Sequence, residues 1–285
     1  MIAQNFEYET PKSLKEALQL LSNPSAKALA GGMSLIPLMK LRLAAPEKVV
    51  DLRGVPGLNS IREEGGVLRI GTMVTHYELE SSPLVRSRCP LLAEAAANIG
   101  DVQVRNLGTI GGSIAHADPA ADYPASLFAL EATVKLGSSS GDRTLGIGGF
   151  LLDTFTTALE PGELIVEISV PVEDAGAGVS YQKCLQPASG FAIVGVAARV
   201  VKKDGKISKA RVGVTGLSGN AFRASAVESL ITGTAGGAAD IEKAAAVAAD
   251  GVDASSDLHA SADYRKHLAR VYTARALRAA IQRAS

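Results

Sequence analysis

Apolar residues recur along this chain with two periods, which predict a mixture of helices and strands. Over residues 13–21, Leu14, Leu18 and Leu21 lie on one helical stripe, and Ser13 is the expected N-cap. The same reading predicts further helices over 35–44 (with Ser34 as its cap), 90–99, 125–131, 221–231, 241–252 and 262–283, and strands over 48–52, 67–70, 132–136, 164–170, 191–201 and 206–217.

Glycine and proline residues, together with changes of period, divide the pattern into three units. Gly54, Pro56 and Gly57 end the first unit, and the stretch 173–178 (EDAGAG) is a predicted linker. In the last unit a hairpin around Lys203-Asp204-Gly205 precedes the helices, and this order favours an α+β fold. The predicted units are 1–57, 58–174 and 178–285.

Charge and cysteine content exclude several classes of protein. The 29 basic and 29 acidic residues give no net charge, which argues against nucleic-acid binding. The longest uncharged apolar run, 191–198, is too short to span a membrane, and the N-terminus lacks the features of a secretory signal. Cys89 and Cys184 are isolated, so no iron–sulfur or zinc site is expected, and two reduced thiols suit a cytoplasmic protein.

Two glycine pairs, each followed by a serine, are the candidate chemistry. They occur in Ala30-Gly31-Gly32-Met33-Ser34 and in Thr109-Ile110-Gly111-Gly112-Ser113. Glycine lets the backbone approach a ligand closely, and successive N–H groups can then bind an anion such as a diphosphate. Each pair alone is a weak signal, because Gly148-Gly149 and Gly236-Gly237 are also present. Neither segment fits a P-loop or the GxGxxG pattern of a Rossmann fold.

Taken together, the two segments resemble a known family. AGGMSLIPLMKLRL, followed about 75 residues later by NLGTIGGSIAHADPAADYPA, is similar to the AGGxS and TIGGxxAxxxPxxD signatures of the FAD-binding subunits of the molybdenum hydroxylases. The likeness extends over the chain and includes the opening F-x-Y-x-x-P of Phe6, Tyr8 and Pro11. It implies a two-part FAD-binding domain like that of vanillyl-alcohol oxidase. A C-terminal domain of antiparallel sheet plus helices would follow it.

The resemblance also implies which residues hold FAD. The first segment would wrap the diphosphate through its backbone N–H groups, and the second would form a further cradle. Asp122 would accept from an adenosine hydroxyl or a nearby backbone group, Ile99 would pack on the adenosine half, and Ile165 would line the middle of FAD. Lys183 would reach the pyrimidine edge of the flavin, and Phe191 would lie near one face of it. The implied residues are Leu29, Ala30, Gly31, Gly32, Met33, Ser34, Leu35, Ile36, Ile99, Thr109, Ile110, Gly111, Gly112, Ser113, Asp122, Ile165, Lys183 and Phe191.

By the same resemblance, the chain is expected to be an electron-transfer subunit of an oxidoreductase. A large partner would hold the molybdenum cofactor and oxidise the substrate. A small partner would hold two [2Fe–2S] clusters and pass electrons to FAD here, from where they reach an external acceptor. A dimer of such heterotrimers is expected. Two alternatives remain open: a stand-alone FAD oxidoreductase with its own small organic substrate, and a non-enzymatic interaction subunit that has lost FAD.

The last predicted helix carries six basic residues and one acid, Asp263. These cations either form a solvated face or present a docking surface to an acidic partner subunit. The basic residues are Arg265, Lys266, Arg270, Arg275, Arg278 and Arg283.

Overall fold

The computed structural model describes residues 2–173 and 175–285. The first stretch of the chain forms a small parallel sheet with two helices. Its elements are β1 (Glu7–Glu9), α1 (Leu14–Leu21), β2 (Ala26–Leu29), α2 (Leu35–Lys40), β3 (Lys48–Asp51) and a 3₁₀-helix (Leu52–Gly54). The strands lie in the order β1-β3-β2. Helix α1 begins where the sequence predicts, because the Ser13 hydroxyl accepts a hydrogen bond from the Glu16 N–H.

The second stretch forms a five-stranded antiparallel sheet covered by helices. Its strands lie in the order β4-β5-β10-β6-β7, so β10 is central. Ile168 of β10 pairs with Ile70 on one side and Val134 on the other, and these residues belong to the largest apolar core. The elements are β4 (Ile61–Glu64), β5 (Val67–Gly71), α3 (His76–Ser81), α4 (Pro83–Arg88), α5 (Pro90–Ala97), α6 (Val102–Leu107), α7 (Ile110–His116), α8 (Tyr123–Ala129), β6 (Thr133–Ser138), β7 (Gly141–Gly146), α9 (Ile147–Phe150), β8 (Leu151–Asp153), β9 (Thr156–Thr157) and β10 (Leu164–Pro171).

The third stretch is an antiparallel sheet followed by helices. Its elements are β11 (Gly178–Leu185), β12 (Ala192–Lys203), β13 (Lys206–Thr215), β14 (Phe222–Arg223), α10 (Ser225–Ile231), α11 (Ala238–Ala246) and α12 (Ala262–Arg283). The strands lie in the order β11-β12-β13-β14. Asp204 and Gly205 join β12 to β13, and both have positive φ, as a two-residue type I′ turn requires. The α+β prediction and the hairpin are thus observed.

The third sheet is buried on both faces, and this ties it to the rest of the molecule. Val196 and Ala198 of β12 pack in a core with α10 to α12, whereas Ala197 between them belongs to the core of the second stretch. Helix α8 lies directly on the sheet: a Cβ at Gly213 would be 1.9 Å from the carbonyl oxygen of Ala125. Only glycine allows this approach of helix and strand backbones.

Several predicted element ends are wrong for local reasons. Helix α7 was not among the predicted helices; it starts at Ile110, so the second glycine pair lies inside its first turn. Its cap is Thr109, whose hydroxyl accepts a hydrogen bond from the Gly112 N–H. Ser34 does occupy the N-cap position of α2, but its hydroxyl makes no capping hydrogen bond.

Three other helices also end or begin away from their predicted limits. Helix α2 ends at Lys40, and Arg42 just beyond it has a φ of 61°. Helix α10 starts only at Ser225, because Phe222 pairs with Val214 as the edge strand β14. Helix α11 covers 238–246, earlier than predicted. The predicted linker includes Asp174, which lies outside the described residues.

Candidate functional site

The parallel sheet brings two loops to one edge. Strands β2 and β3 run side by side, with Leu29 opposite Asp51. The carboxyl ends of parallel strands meet at the same edge of a sheet. The first glycine segment, which follows β2, therefore emerges beside the 3₁₀-helix that follows β3.

The first glycine segment also packs against the approach to the second one. A Cβ at Gly31 would lie 2.0 Å from the carbonyl oxygen of Leu107, so no larger residue fits there. Leu107 ends α6, two residues before Thr109. A Cβ at Gly112 would lie 3.4 Å from the Ala30 Cβ. The two segments recognised in the sequence are thus neighbours in space.

The two segments differ in the state of their backbone N–H groups. In the second, the N–H groups of Ile110, Gly111, Gly112 and Ser113 donate at 3.0 Å to acceptors within the chain. In the first, the N–H groups of residues 31–34 donate to no acceptor in the part of the chain that the structure describes. The first segment therefore offers free backbone donors, and the second does not.

The serines that follow the pairs keep free hydroxyl groups. Neither Ser34 nor Ser113 hydrogen-bonds through its side chain to any described residue, and both side chains are half-buried. The second segment can therefore contribute a hydroxyl donor to an anion.

A cleft of about 330 Å³ opens between the first sheet and the helices of the second stretch. Its walls are mostly apolar, and a few polar groups converge on it, which is the usual character of a small-molecule site. The lining residues are Leu29, Ala30, Gly31, Met33, Ile36, Leu52, Arg53, Val55, Asn59, Met73, Thr75, Glu78, Asn106, Leu107 and Thr109. Six of the predicted site residues are among them: Leu29, Ala30, Gly31, Met33, Ile36 and Thr109.

Asp122 and Lys183, predicted for different parts of FAD, form one buried ion pair. The Lys183 Nζ lies 2.8 Å from one Asp122 carboxylate oxygen and 3.0 Å from the other, and it also donates to the carbonyl oxygen of Asn98 at 2.8 Å. The Tyr181 hydroxyl donates to Asp122 at 2.5 Å. Burial raises the pKa of Asp122 to about 6, although Lys183 and Tyr181 act in the opposite direction.

The remaining predicted residues lie around these features. Ile99 is half-buried two residues beyond the end of α5. The loop carrying the exposed Phe191 lies against the neighbouring Gly100, since a Cβ at Gly190 would be 3.4 Å from the Gly100 Cα. Ile165 is only 2% exposed and belongs to the central core. Gly32 has a φ of 75°, and Leu35 opens α2.

His76 lies beneath the second segment and was missed by sequence reasoning. A Cβ at Gly108 would be 2.6 Å from its Nε2, and its Nδ1 is 3.0 Å from the Tyr123 hydroxyl. Burial, with a smaller contribution from Arg105, lowers the pKa of His76 to about 4. The ring is therefore neutral near pH 7 and supports the segment as a hydrogen-bonded structural residue.

Sequence reasoning also missed a cluster beside the cleft. Asp51 is buried, and its carboxylate accepts hydrogen bonds from the Arg53 guanidinium and from the Tyr8 hydroxyl. The available signal was the strand KVVD followed at once by Leu-Arg-Gly, since a residue just past a parallel strand faces the ligand edge of the sheet. Tyr8 was noted only as part of the opening motif.

A larger open depression of about 590 Å³ lies elsewhere, between β8, the loop 218–222 and the loop 252–255. None of the predicted site residues lines it. Among the described residues there is no group of three or more His, Cys, Asp or Glu side chains suited to a metal ion. No helix in those residues is long and apolar enough to cross a bilayer.

Two family models match the chain. Residues 4–173 match the FAD binding domain in molybdopterin dehydrogenase, and residues 179–280 match the CO dehydrogenase flavoprotein C-terminal domain. Together they span both the cleft and the third sheet.

Full-length relatives show the same likeness. The chain is 43% identical over 282 residues to the carbon monoxide dehydrogenase medium chain of Hydrogenophaga pseudoflava, with 98% of each chain covered. It is 38% identical to the 6-hydroxypseudooxynicotine dehydrogenase complex subunit alpha of Paenarthrobacter nicotinovorans, over 98% of this chain and 96% of that one. A solved structure of carbon monoxide dehydrogenase from H. pseudoflava superimposes with a TM-score of 0.97 over the whole of both chains, at 44% identity.

Proposed function

Because this chain belongs to the family of FAD-binding medium subunits of the molybdenum hydroxylases, we propose that it carries electrons from [2Fe–2S] clusters of a partner subunit to an external acceptor. The predicted family, fold class and cofactor are confirmed by these similarities. FAD, when bound, supplies the redox chemistry, and the protein supplies binding, orientation and electrostatics.

The observation that carries the proposal is the set of free N–H groups at residues 31–34 beside the cleft. A run of unbonded backbone donors is a fitting partner for a diphosphate. The apolar walls formed by Met33, Leu52 and Met73 suit a flat ring system next to it. The residues present therefore fit a dinucleotide such as FAD.

The chain's own residues act mainly by holding and shielding. Gly31 lets the first segment pack against Leu107 and so keeps the two segments in contact. The Asp122–Lys183 pair fixes the start of α8 to β11. The ionisable side chains that line the cleft are Glu78 and Arg53. Substrate oxidation is assigned to the molybdenum subunit by the family to which the chain belongs.

The finer assignments are proposals that rest on the same family. The partners are a large molybdenum-cofactor subunit and a small [2Fe–2S] subunit, assembled as a dimer of heterotrimers in the cytoplasm. The FAD contacts are those named from the sequence, and the units 1–57, 58–174 and 178–285 are the proposed domains. The sheets support this division, since each of them lies within one unit.

The proposal is tested by the cofactor and by the route of electrons. The purified chain should be yellow and should release FAD on denaturation. Its flavin band should bleach with dithionite alone. An oxidisable substrate of the complex should bleach it only after the partner subunits are added. Release of FMN, absence of flavin, or bleaching by the substrate without partners would contradict the proposal.

A variant pair tests the free-donor loop. Gly31→Ala should push the first segment away from Leu107 and lower FAD affinity at least tenfold, since a Cβ there would be 2.0 Å from a backbone oxygen. Gly149→Ala is the matched control, because a Cβ at Gly149 meets nothing within 4 Å. Equal FAD affinity in the two variants, measured by titration of the flavin-free chain, would remove Gly31 from the site.

A further inference from the structure

Arg53 carries the only positive charge among the residues that line the cleft. Two of its nitrogen atoms are fixed: Nε lies 2.9 Å and 3.0 Å from the Asp51 carboxylate oxygens, and Nη2 lies 2.5 Å from one of them. The third nitrogen, Nη1, donates to no group of the described residues. The side chain is 64% exposed, so this free edge is open to a ligand.

The anchor of Arg53 is itself fixed. Asp51 is buried, and its carboxylate also accepts from the Arg53 backbone N–H at 2.9 Å and from the Tyr8 hydroxyl. Tyr8 accepts in turn from Arg53 Nη2 at 3.2 Å. Burial alone would raise the pKa of Asp51, but the hydrogen bonds from Arg53 and Tyr8 outweigh it and lower the pKa. The carboxylate therefore stays charged and holds the guanidinium in one orientation.

A guanidinium held in this way is suited to a phosphate. A planar guanidinium with a free N–H edge matches phosphate oxygens, and little side-chain entropy is lost when it is already ordered. The free N–H groups of residues 31–34 leave the same edge of the sheet. Two independent kinds of anion donor thus converge on one cleft.

Glu78, the acidic residue that lines the cleft, restricts the charge of the ligands that fit there. Glu78 is anchored at the start of α3, where its Oε2 accepts from the Thr75 N–H at 2.7 Å and the Thr75 hydroxyl at 2.8 Å. A carboxylate in the cleft disfavours a ligand that is anionic throughout. It suits a ligand with phosphate at one end and neutral hydroxyl-bearing groups at the other, as in a nucleoside diphosphate.

We propose that Arg53 binds a phosphate of the adenosine diphosphate half of FAD, with Asp51 and Tyr8 as its positioning residues. This inference rests on the proposed function and adds a cationic contact to the glycine segments. It also gives the tyrosine of the opening F-x-Y-x-x-P motif a purpose, since Tyr8 lies 45 residues from Arg53 in sequence and contacts it directly.

The test uses the full chain freed of flavin and titrated with FAD, ADP and adenosine. Arg53→Met should lower the affinity for FAD and for ADP by about 10- to 100-fold, which is the effect of losing a charge-assisted hydrogen bond. Adenosine affinity should change less than twofold. Tyr8→Phe removes only the hydroxyl that helps to orient the Arg53 guanidinium. It should lower the affinity for ADP by a smaller factor and leave the affinity for adenosine unchanged.

Two further variants keep the result interpretable. Arg62→Met is the matched control, because Arg62 is 50% exposed and pairs with a largely buried glutamate, Glu167, yet lies outside the cleft. It should leave all three affinities unchanged. Arg53→Met leaves the buried Asp51 carboxylate without its cationic partner and can therefore unfold the chain. The double variant Asp51→Asn with Arg53→Met removes that charge and should show the same selective loss of affinity for ADP.

The possible results test the role of Arg53 separately from the proposed function. A wild-type chain that binds FAD while both Arg53 variants bind ADP equally well would overturn the inference and leave the proposed function standing. Equal losses for ADP and adenosine would place Arg53 on the nucleoside and also overturn it. A folded wild-type chain that binds no FAD would overturn the proposed function and the inference with it.

Discussion

Lys183 and Asp122 are separated by 61 residues, yet their side chains form a single buried unit. The resemblance assigns Lys183 to the flavin and Asp122 to the adenosine side, and each assignment treats the residue alone. In the structure the Lys183 ammonium also bonds within the chain, to the Asp122 carboxylate and to the Asn98 carbonyl oxygen. A cation shared in this way acts on a nearby cofactor only as part of a neutral pair, which weakens its electrostatic effect.

Lys183→Met should therefore destabilise the fold. The two side chains are 3% and 4% exposed, and removing one partner of a buried pair costs about 3–5 kcal/mol. The double variant Asp122→Asn with Lys183→Met should recover most of that loss in urea unfolding. Lys135→Met is the control, since its pair with Asp142 is exposed and should cost less than about 1 kcal/mol. Equal stability of Lys183→Met and the wild type would show that the buried pair does not form.

His76 should make stability depend on pH. Its pKa is lowered to about 4 from 6.5, so between these values the unfolded chain binds a proton that the folded chain does not. Stability is then full above about pH 6.5 and falls by about 3 kcal/mol in total as the pH drops to about 4, at about 1.4 kcal/mol per pKa unit. His76→Gln should flatten this slope in denaturant titrations at several pH values. The exposed His259→Gln should retain the full slope.

At the scale of elements, periodicity located most helices and strands but not their contacts. The hairpin of β12 and β13 was predictable, because Asp204-Gly205 between two apolar strands is a local signal. The start of α10 was not predictable, because Phe222 pairs with Val214 as an edge strand, and that pairing is a tertiary contact. Helix α7 was not predicted, for a similar reason: glycines disfavour helix interiors, but close packing against Thr72 requires Gly111 there.

In the candidate site, too, local sequence features were predictable and tertiary contacts were not. The glycine segments could be found from the sequence, because their composition is unusual and their combination resembles a family. Arg53 could not, since its place beside the cleft depends on the parallel pairing of β2 with β3 and on a tyrosine from β1. The contact of Gly31 with Leu107 likewise joins residues far apart in sequence.

Most basic residues of helix α12 have partners within the chain. Four of them pair with acids of this chain: Arg265 with Asp257, Arg270 with Asp250, Arg278 with Glu242 and Arg283 with Glu94. Arg275 lies over the ring of Tyr272. These contacts leave the helix with less free positive charge than its sequence indicates, which weakens the case for an electrostatic docking surface.

Two arginines of α12 should respond very differently to mutation. Arg265 is buried and donates to the carbonyl oxygens of Ile193 and Gly216, so Arg265→Met should cost about 3 kcal/mol or more by leaving buried acceptors unpaired. Arg278→Met, at an exposed pair, should cost less than about 1 kcal/mol. Urea unfolding of both variants measures the difference. Similar losses of unfolding free energy in the two variants would show that the hydrogen bonds of Arg265 to Ile193 and Gly216 do not stabilise the fold.

At the scale of the whole molecule, the third sheet holds the residues that connect α7 to α8. The Thr215 hydroxyl is 2.9 Å from the Pro119 carbonyl oxygen and 2.8 Å from that of Ala121, and the Gly216 N–H donates to Pro119 at 2.9 Å. The residues between α7 and α8 are thus held from the other half of the chain. The halves share this contact and the core residue Ala197.

The full chain should therefore unfold in one thermal transition, and FAD should raise the midpoint of that single transition. Saturation at 100 times the Kd adds about 2.7 kcal/mol. Thr215→Val should lower the midpoint and broaden or split the transition, since the buried carbonyl group of Ala121 loses its donor and that of Pro119 keeps only the Gly216 N–H. Calorimetry with and without FAD measures both effects. A wild-type chain with two separate transitions, of which FAD shifts only one, would show that the halves are independent.

The bonds from Thr215 reach back 96 and 94 residues, and this span sets an order of events during synthesis. A chain still emerging from the ribosome can form the parallel sheet and its glycine loop early, since their residues are close in sequence. The residues between α7 and α8 lack these hydrogen bonds until β13 has left the exit tunnel and folded. Full cofactor loading therefore follows translation of most of the chain, and a truncated product would be poorly flavinated and easily recognised by proteases.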